Sequence, residues 1–130
     1  MSNLTEECLF CNKKKQNIIY STKFIYVVRD SFPVTKYHSL IIPHRHTSNF
    51  FDLNNEELKD LSETLKKERE SLLNLDKEIT GFNVGVNAGV DAGQSIMHCH
   101  IHLIPRRKGD IENPRGGVRG VIPSKQKYIR

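Results

Sequence analysis

Three histidines at alternate positions, His98, His100 and His102, lie in the stretch HCHIHLIP, which is followed directly by PRRKGD. On an extended chain, residues two apart point to the same side, about 6.6 Å apart at a rise of roughly 3.3 Å per residue. Three imidazoles in one row allow three chemistries. They can pack as hydrogen-bonded core groups, or two of them can reach one zinc ion. Alternatively, a neutral imidazole can attack phosphorus while its neighbours fix its tautomer and steady charge. The remaining histidines, His38, His44 and His46, all fall within YHSLIIPHRH, so two short stretches hold all six. If these stretches adjoin, some histidines can bind metal while others stay free for catalysis. Cys8 and Cys11 add a two-residue-spaced thiol pair, half of a structural zinc site, while a redox role lacks the strand-to-helix setting it needs. Cys99 stands apart, between histidines.

These groups need a scaffold. NIIYS, FIYVVRD and YHSLIIP are rich in β-branched and aromatic residues and are separated by polar or proline-bearing breaks. They predict three short antiparallel strands, the third stopping at Pro43, so that HRH lies in a loop. From Asp52 to Asp76, leucines at 58, 61, 65, 72 and 75 recur at helical spacing after Asn54-Asn55-Glu56-Glu57, which offers an N-cap and first-turn acids. FNVGVN, after Gly81, predicts a fourth strand. AGVDAGQS is a small, polar loop that cannot be core, and the last strand is expected from about Ile96 to Ile104, with Met97, Cys99, Ile101 and Leu103 facing the core. The expected architecture is α+β: an antiparallel sheet of about five strands with one long helix on one face, its other face left to solvent, ligand or a second subunit. RRKGDIENPRGGVRG is charged and turn-rich, with no regular structure evident.

The chain has 130 residues and a formal charge of +5, which suits one domain and an anionic partner such as a nucleotide, a nucleic acid or an acidic lipid surface. MSNLTEECLF lacks a signal-peptide pattern, and no window approaches the roughly 20 apolar residues of a membrane span. A soluble cytoplasmic protein without a membrane partner is expected. A nucleic-acid-binding module is disfavoured by 8% aromatic content, the absence of Trp and the lack of aromatic–basic interleaving.

GQSIMHCHIHLIP resembles the signature of the histidine triad (HIT) family, in which His-φ-His-φ-His-φ-φ, with φ apolar, ends the last core strand. Cys99, Ile101, Leu103 and Ile104 fill the φ positions. The similarity runs from the Cys8-to-Cys11 start through FIYVVRD, HSLIIPHRH, the helix and Asn87. It implies a single HIT domain over 1–130, with a zinc-linked N-terminal segment (1–16) and a basic C-terminal arm (106–130). It also implies a homodimer sharing helices and a sheet edge, and nucleotidyl hydrolase or transferase activity on adenine nucleotides such as dinucleoside polyphosphates.

By the same resemblance, His100 is the nucleophile that attacks the α-phosphorus. His102 and His38 contact phosphate and orient the nucleophile, and Gln94 and Ser95 touch the phosphate or bridging oxygen. Asn87 contacts ribose or phosphate, Asp30 binds the ribose hydroxyls, and Gly93 belongs to the same nucleotide-binding set. Cys8, Cys11, His46 and His98 match the zinc ligands of many bacterial members, which leaves His44 as a solvated loop residue. PRRKGD is closer to the polyphosphate-hydrolysing branch that includes the fragile histidine triad proteins than to the purine nucleoside phosphoramidase branch. Arg106, Arg107 and Lys108 could meet extra phosphates or form a solvated basic end. PRGGVRG could bring backbone amides to a phosphate or turn an arm across the dimer. An adenosine phosphoramidase and a non-catalytic nucleotide-binding scaffold remain the alternatives.

Overall fold

The computed structural model describes residues 7–129; the first six residues of the expected N-terminal segment, and Arg130 of the arm, lie outside them. Five strands form one antiparallel sheet: β1 (Ile18–Ser21), β2 (Ile25–Arg29), β3 (Ser39–Pro43), β4 (Ile79–Val86) and β5 (Ile101–Arg107), ordered β1-β2-β3-β5-β4. The helix α1 spans Asn55–Leu75. Among the described residues, no helix is long and apolar enough to cross a membrane.

Alternation along the strands sorts the core into two layers. Ile25, Val27, Ile41 and Ile101 face α1 and pack with Leu61 and Cys99. Tyr26, Val28, Leu40 and Ile42 face the other way and are covered by the N-terminal segment through Phe10. Part of the face expected to be open is therefore closed by the chain itself.

α1 starts where Asn54 and Glu57 cap each other: Glu57 N–H donates to Asn54 Oδ1 at 2.8 Å, and Asn54 N–H donates to Glu57 Oε1 at 2.9 Å. Its buried stripe is more polar than the leucine spacing implies, because it includes Glu57, Thr64 and Glu68 beside Leu61 and Leu72. Glu57 and Glu68 are tolerated there because Arg45 and Arg29 pair with them. Leu58 falls at the rim of the stripe and Leu75 at the free end, and both are exposed.

The last strand differs from expectation. It begins at Ile101, and residues 96–100 run outside the ladder. β3 itself continues to Pro43, but its pairing with β5 ends at Ile41↔Ile101. Cys99 N–H donates instead to the Thr47 carbonyl at 2.7 Å, in the loop beyond Pro43. Met97 accordingly points outward at 44% exposure, whereas Cys99, Ile101 and Leu103 are buried as expected. β4 is also longer than FNVGVN. It starts at Ile79, takes Gly81 into an irregular register, and extends β5 to Arg107. The arm carries two short 3₁₀ turns, Gly117–Val121 and Pro123–Lys125, where no regular structure was expected.

Candidate functional site

The sheet brings the two histidine stretches together. β3 and β5 pair Leu40 with His102, so His38, just before β3, lies against His102. Their rings are joined by a hydrogen bond of 2.9 Å between His38 Nε2 and His102 Nδ1. The backbone fixes the direction of this bond. Val34 N–H donates to His38 Nδ1 at 3.0 Å, so that nitrogen is unprotonated, and in a neutral ring Nε2 holds the proton and donates it to His102. His102 Nε2 is then the protonated nitrogen of its own ring. Burial lowers the pKa of both histidines and favours these neutral forms, with Asp30 acting in the opposite sense on each.

His100 is set by a separate contact. Its Nδ1 lies 2.8 Å from the carbonyl oxygen of His98, which can only accept, so Nδ1 carries the proton and Nε2 keeps its lone pair. Its ring lies 5.3 Å from that of His102 and 5.0 Å from that of Phe10. The result is one imidazole with an uncommitted basic nitrogen beside a second imidazole with an N–H to donate, a pairing suited to attack on phosphorus and stabilisation of its charge.

Both rings line a cavity of about 390 Å³ that also takes in Asp30, Asn87 and Ser95. Asp30 Oδ1 accepts from Phe32 N–H at 2.9 Å, and Oδ2 lies 3.4 Å from His38 Nε2. Leu9, Phe10, Val28 and Phe32 give the cavity apolar walls, and Asp30 adds a carboxylate to its lining. Leu9 and Phe10 were not among the site residues expected. Their only signal in the sequence is their place between the two cysteines.

Gln94 is placed differently from an open loop residue. It is 5% exposed: its Nε2 donates to the carbonyls of Ser48 and Ile96 at 2.7 and 3.1 Å, while its Oε1 accepts from Gly89 N–H at 2.8 Å. It is a core residue of AGVDAGQS that fixes the loop's path and presents Ser95 to the cavity. Gly93 closes the same loop with φ 95, in the left-handed region.

His98 faces away from the cavity. Its Nε2 donates to the Pro43 carbonyl at 2.8 Å, which leaves Nδ1 unprotonated, 3.2 Å from His46 Nδ1 and 3.4 and 3.5 Å from the sulfurs of Cys8 and Cys11. Cys11 Sγ is 3.2 Å from His46 Nδ1. Around a tetrahedral zinc with bonds of about 2.0–2.1 Å to nitrogen and about 2.3 Å to sulfur, neighbouring ligand atoms lie roughly 3.3–3.8 Å apart. These four separations match that spacing to within a few tenths of an ångström, all four donors lie within 4.8 Å of one another, and the group can hold a metal ion. Burial pushes the His98 pKa down to about 4, so that it stays neutral and ready to ligate. Burial, then the neighbouring Cys8, pushes the Cys11 thiol up to about 11, so metal binding must expel its proton.

Two expectations are corrected. His44 is not a solvated loop residue: it is half-buried against Tyr26, with its Nε2 3.0 Å from the Thr22 carbonyl. Arg106 and Arg107 are not free for extra phosphates: Arg106 forms paired hydrogen bonds of 2.8 Å to Asp110, and Arg107 binds Asp76 at 2.9 Å, leaving Lys108 exposed. The PRGGVRG glycines pack within the arm, and Gly117 and Gly120 also line a cavity beside His38 and His102. A Cβ on Gly116 would meet the Gln126 carbonyl oxygen at 1.8 Å, and one on Gly120 would meet Gln126 Oε1 at 2.7 Å. The arm thus folds around Gln126 and walls a second cavity, about 520 Å³, shared with His38, His102 and Asn87.

The HIT domain family model matches residues 12–109. The nitrilase and fragile histidine triad fusion protein NitFhit of Caenorhabditis elegans is 37% identical over 76% of this chain and 22% of its own. The asymmetrical bis(5′-nucleosyl)-tetraphosphatase of Schizosaccharomyces pombe is 34% identical over 72% of this chain and 50% of its own. This chain therefore spans half or less of those two relatives. Among solved structures, a Zn-bound histidine triad family protein from Mycobacterium smegmatis superposes with a TM-score of 0.75 at 26% identity, covering 84% of this chain and 81% of that one.

Proposed function

Because this chain belongs to the HIT domain family, matched over residues 12–109, we propose that it is a nucleotidyl hydrolase or transferase acting at the α-phosphate of adenine nucleotides through a nucleotidyl-His100 intermediate. The observation that carries this reading is the uncommitted Nε2 of His100, held by the His98 carbonyl in a cavity with space for a nucleoside. In the first step, the Nε2 lone pair forms a bond to the α-phosphorus, and the bond from phosphorus to the leaving atom breaks with its electron pair. The leaving group takes a proton, supplied directly or through water. In the second step, water adds to phosphorus, the P–N bond returns its electrons to Nε2, and the proton lost by water balances the one taken earlier.

Within this mechanism His102 donates its Nε2–H to the phosphoryl oxygens. His38 acts through His102 by fixing its tautomer. Asp30 accepts from the ribose hydroxyls, Asn87 and Ser95 contact phosphate, and Gln94 and Gly93 position Ser95. Cys8, Cys11, His46 and His98 hold a structural zinc that fastens the N-terminal segment to the sheet. β4 pairs on one side only and exposes Val84, which supports a homodimer through that edge.

The named activity of the yeast relative supports dinucleoside polyphosphates as the substrate class. The engagement of Arg106 and Arg107 with Asp110 and Asp76 favours a second reading, adenosine phosphoramidate, whose leaving group needs no cation. Turnover of diadenosine triphosphate, diadenosine tetraphosphate and adenosine phosphoramidate, followed by AMP release, separates the two. Loss of AMP release in His100→Ala is expected. AMP binding without turnover of any of the three would replace the enzymatic reading with a nucleotide-binding scaffold.

A further inference from the structure

Cys8 and Cys11 are separated only by Leu9 and Phe10. The thiols face His46 and His98, while the two residues between them line the 390 Å³ cavity. Phe10 is 3% exposed, and its ring meets those of His98 and His100 edge-on, at centroid distances of 6.0 and 5.0 Å. Two further contacts hold this short loop: Tyr26 Oη donates to the Phe10 carbonyl at 2.5 Å, and Gln16 Nε2 donates to the Leu9 carbonyl at 3.1 Å. Gln16 itself lines the cavity. A second path runs through His98, whose ring offers Nδ1 to the cluster while its carbonyl, 2.8 Å from His100 Nδ1, sets the tautomer of the nucleophile. One side chain joins the metal ligands to the cavity wall, and one backbone carbonyl joins them to the reactive imidazole.

We propose that the Cys8–Cys11–His46–His98 metal site and the nucleotide site are thermodynamically coupled through Phe10 and the His98 carbonyl, so that the metal tightens nucleotide binding and the nucleotide tightens metal binding. The inference rests on the nucleotide and zinc readings above. Its physical basis is preorganisation. Without the ion, the loop keeps the packing of Phe10 and the hydrogen bonds from Tyr26 and Gln16, but its two thiols are held to His46 and His98 only by weak contacts. A nucleoside must then order the loop that carries Leu9 and Phe10 at the moment of binding, at a cost to its own affinity. Linkage requires the reciprocal effect to be of equal size.

The test uses the full chain, with zinc content measured and AMP as ligand. Calorimetry of the zinc-loaded protein and of chelator-treated protein, checked for fold by circular dichroism, is expected to show AMP affinity about tenfold weaker without zinc, within the usual range of such couplings. Zinc affinity should rise by the same factor in saturating AMP. If the zinc-free chain does not fold, cobalt-substituted protein serves instead. AMP should shift the visible thiolate–cobalt bands with saturation at the AMP Kd, and Phe10→Ala should keep the bands and lose the shift. AMP that binds with the same Kd in both metal states, or without moving the cobalt bands, overturns the coupling. AMP that does not bind at all overturns the nucleotide reading on which it stands.

Discussion

Replacement of Glu57 by Ala should destabilise the protein by about 2–3 kcal/mol. Glu57 is 2% exposed and has two roles. Its carboxylate takes hydrogen bonds from Arg45 at 2.8 and 3.1 Å, and its Oε1 accepts from Asn54 N–H as half of the α1 capping box. Breaking a fully buried ion pair costs about 3–5 kcal/mol, but Arg45 is half exposed and regains water, which brings that contribution to about 1.5–2 kcal/mol. Loss of the reciprocal cap and of a first-turn acid adds about 0.5–1 kcal/mol. With an unfolding entropy of about 2.1 cal/mol/K per residue, the 130-residue chain should lose roughly 7–11 °C in Tm. Glu57→Gln keeps an acceptor for Asn54 N–H and should lose about half as much. The hydrogen bond from Arg45 holds the Glu57 carboxyl below its ordinary value against the opposing effect of burial. The stabilisation is therefore complete above about pH 4.3 and is lost as pH falls through the lowered value. Urea denaturation at pH 7 and at pH 3 reads both effects. A Glu57→Ala protein within about 0.5 kcal/mol of the parent at pH 7, or a gap undiminished at pH 3, would refute the reasoning.

Other perturbations probe the site more directly. His38→Ala removes the donor that sets the His102 tautomer and should lower turnover by roughly 10–100-fold, the usual effect of losing an orienting partner; steady-state kinetics checks it. His38 and His102 both have pKa values lowered by burial, so their neutral forms persist above about pH 6.5 and protonate only as pH falls through the depressed values. The acid limb of kcat should then have its midpoint below 6.5, and Asp30→Asn, which removes the charge that raises both, should move it lower still; an upward move would contradict this. Gly116→Ala places a Cβ 1.8 Å from the Gln126 carbonyl at a residue with φ 89. It should unseat the arm and open residues 108–126 to limited proteolysis while the sheet stays resistant.

Much of the fold is legible because its signals are local. Pro43 ends β3 because it cannot donate to a ladder, and Asn54 with Glu57 marks the start of α1 by a reciprocal cap. Whether H-x-H-x-H continues a strand is not a local matter. It depends on tertiary pairing: β3 stops pairing with β5 at Ile41 while Cys99 N–H turns to the Thr47 carbonyl, so His98 and His100 leave the ladder and are held by carbonyls instead. Arg106 and Arg107 look free in the sequence because Asp76 is 31 residues from Arg107, and the short PRRKGD turn that returns Asp110 onto Arg106 resembles any solvated basic run. The glycines of PRGGVRG have their reason in Gln126, beyond the motif itself. The Cys8–Cys11 pair was readable as half of a metal site and the family resemblance supplied His46 and His98, whereas Phe10 was hidden because an apolar residue between two cysteines has no chemistry of its own until the fold brings it against His100.

The proposed chemistry turns on one bond, between His100 Nε2 and phosphorus. Brief mixing with diadenosine triphosphate, diadenosine tetraphosphate or adenosine phosphoramidate, followed by denaturing quench and peptide mass spectrometry, measures it directly. An adenylyl mass increment on the peptide containing His100, formed and lost at rates that match turnover and absent from His100→Ala, is the predicted result. Turnover with no such adduct, or with an equal adduct in His100→Ala, would contradict it.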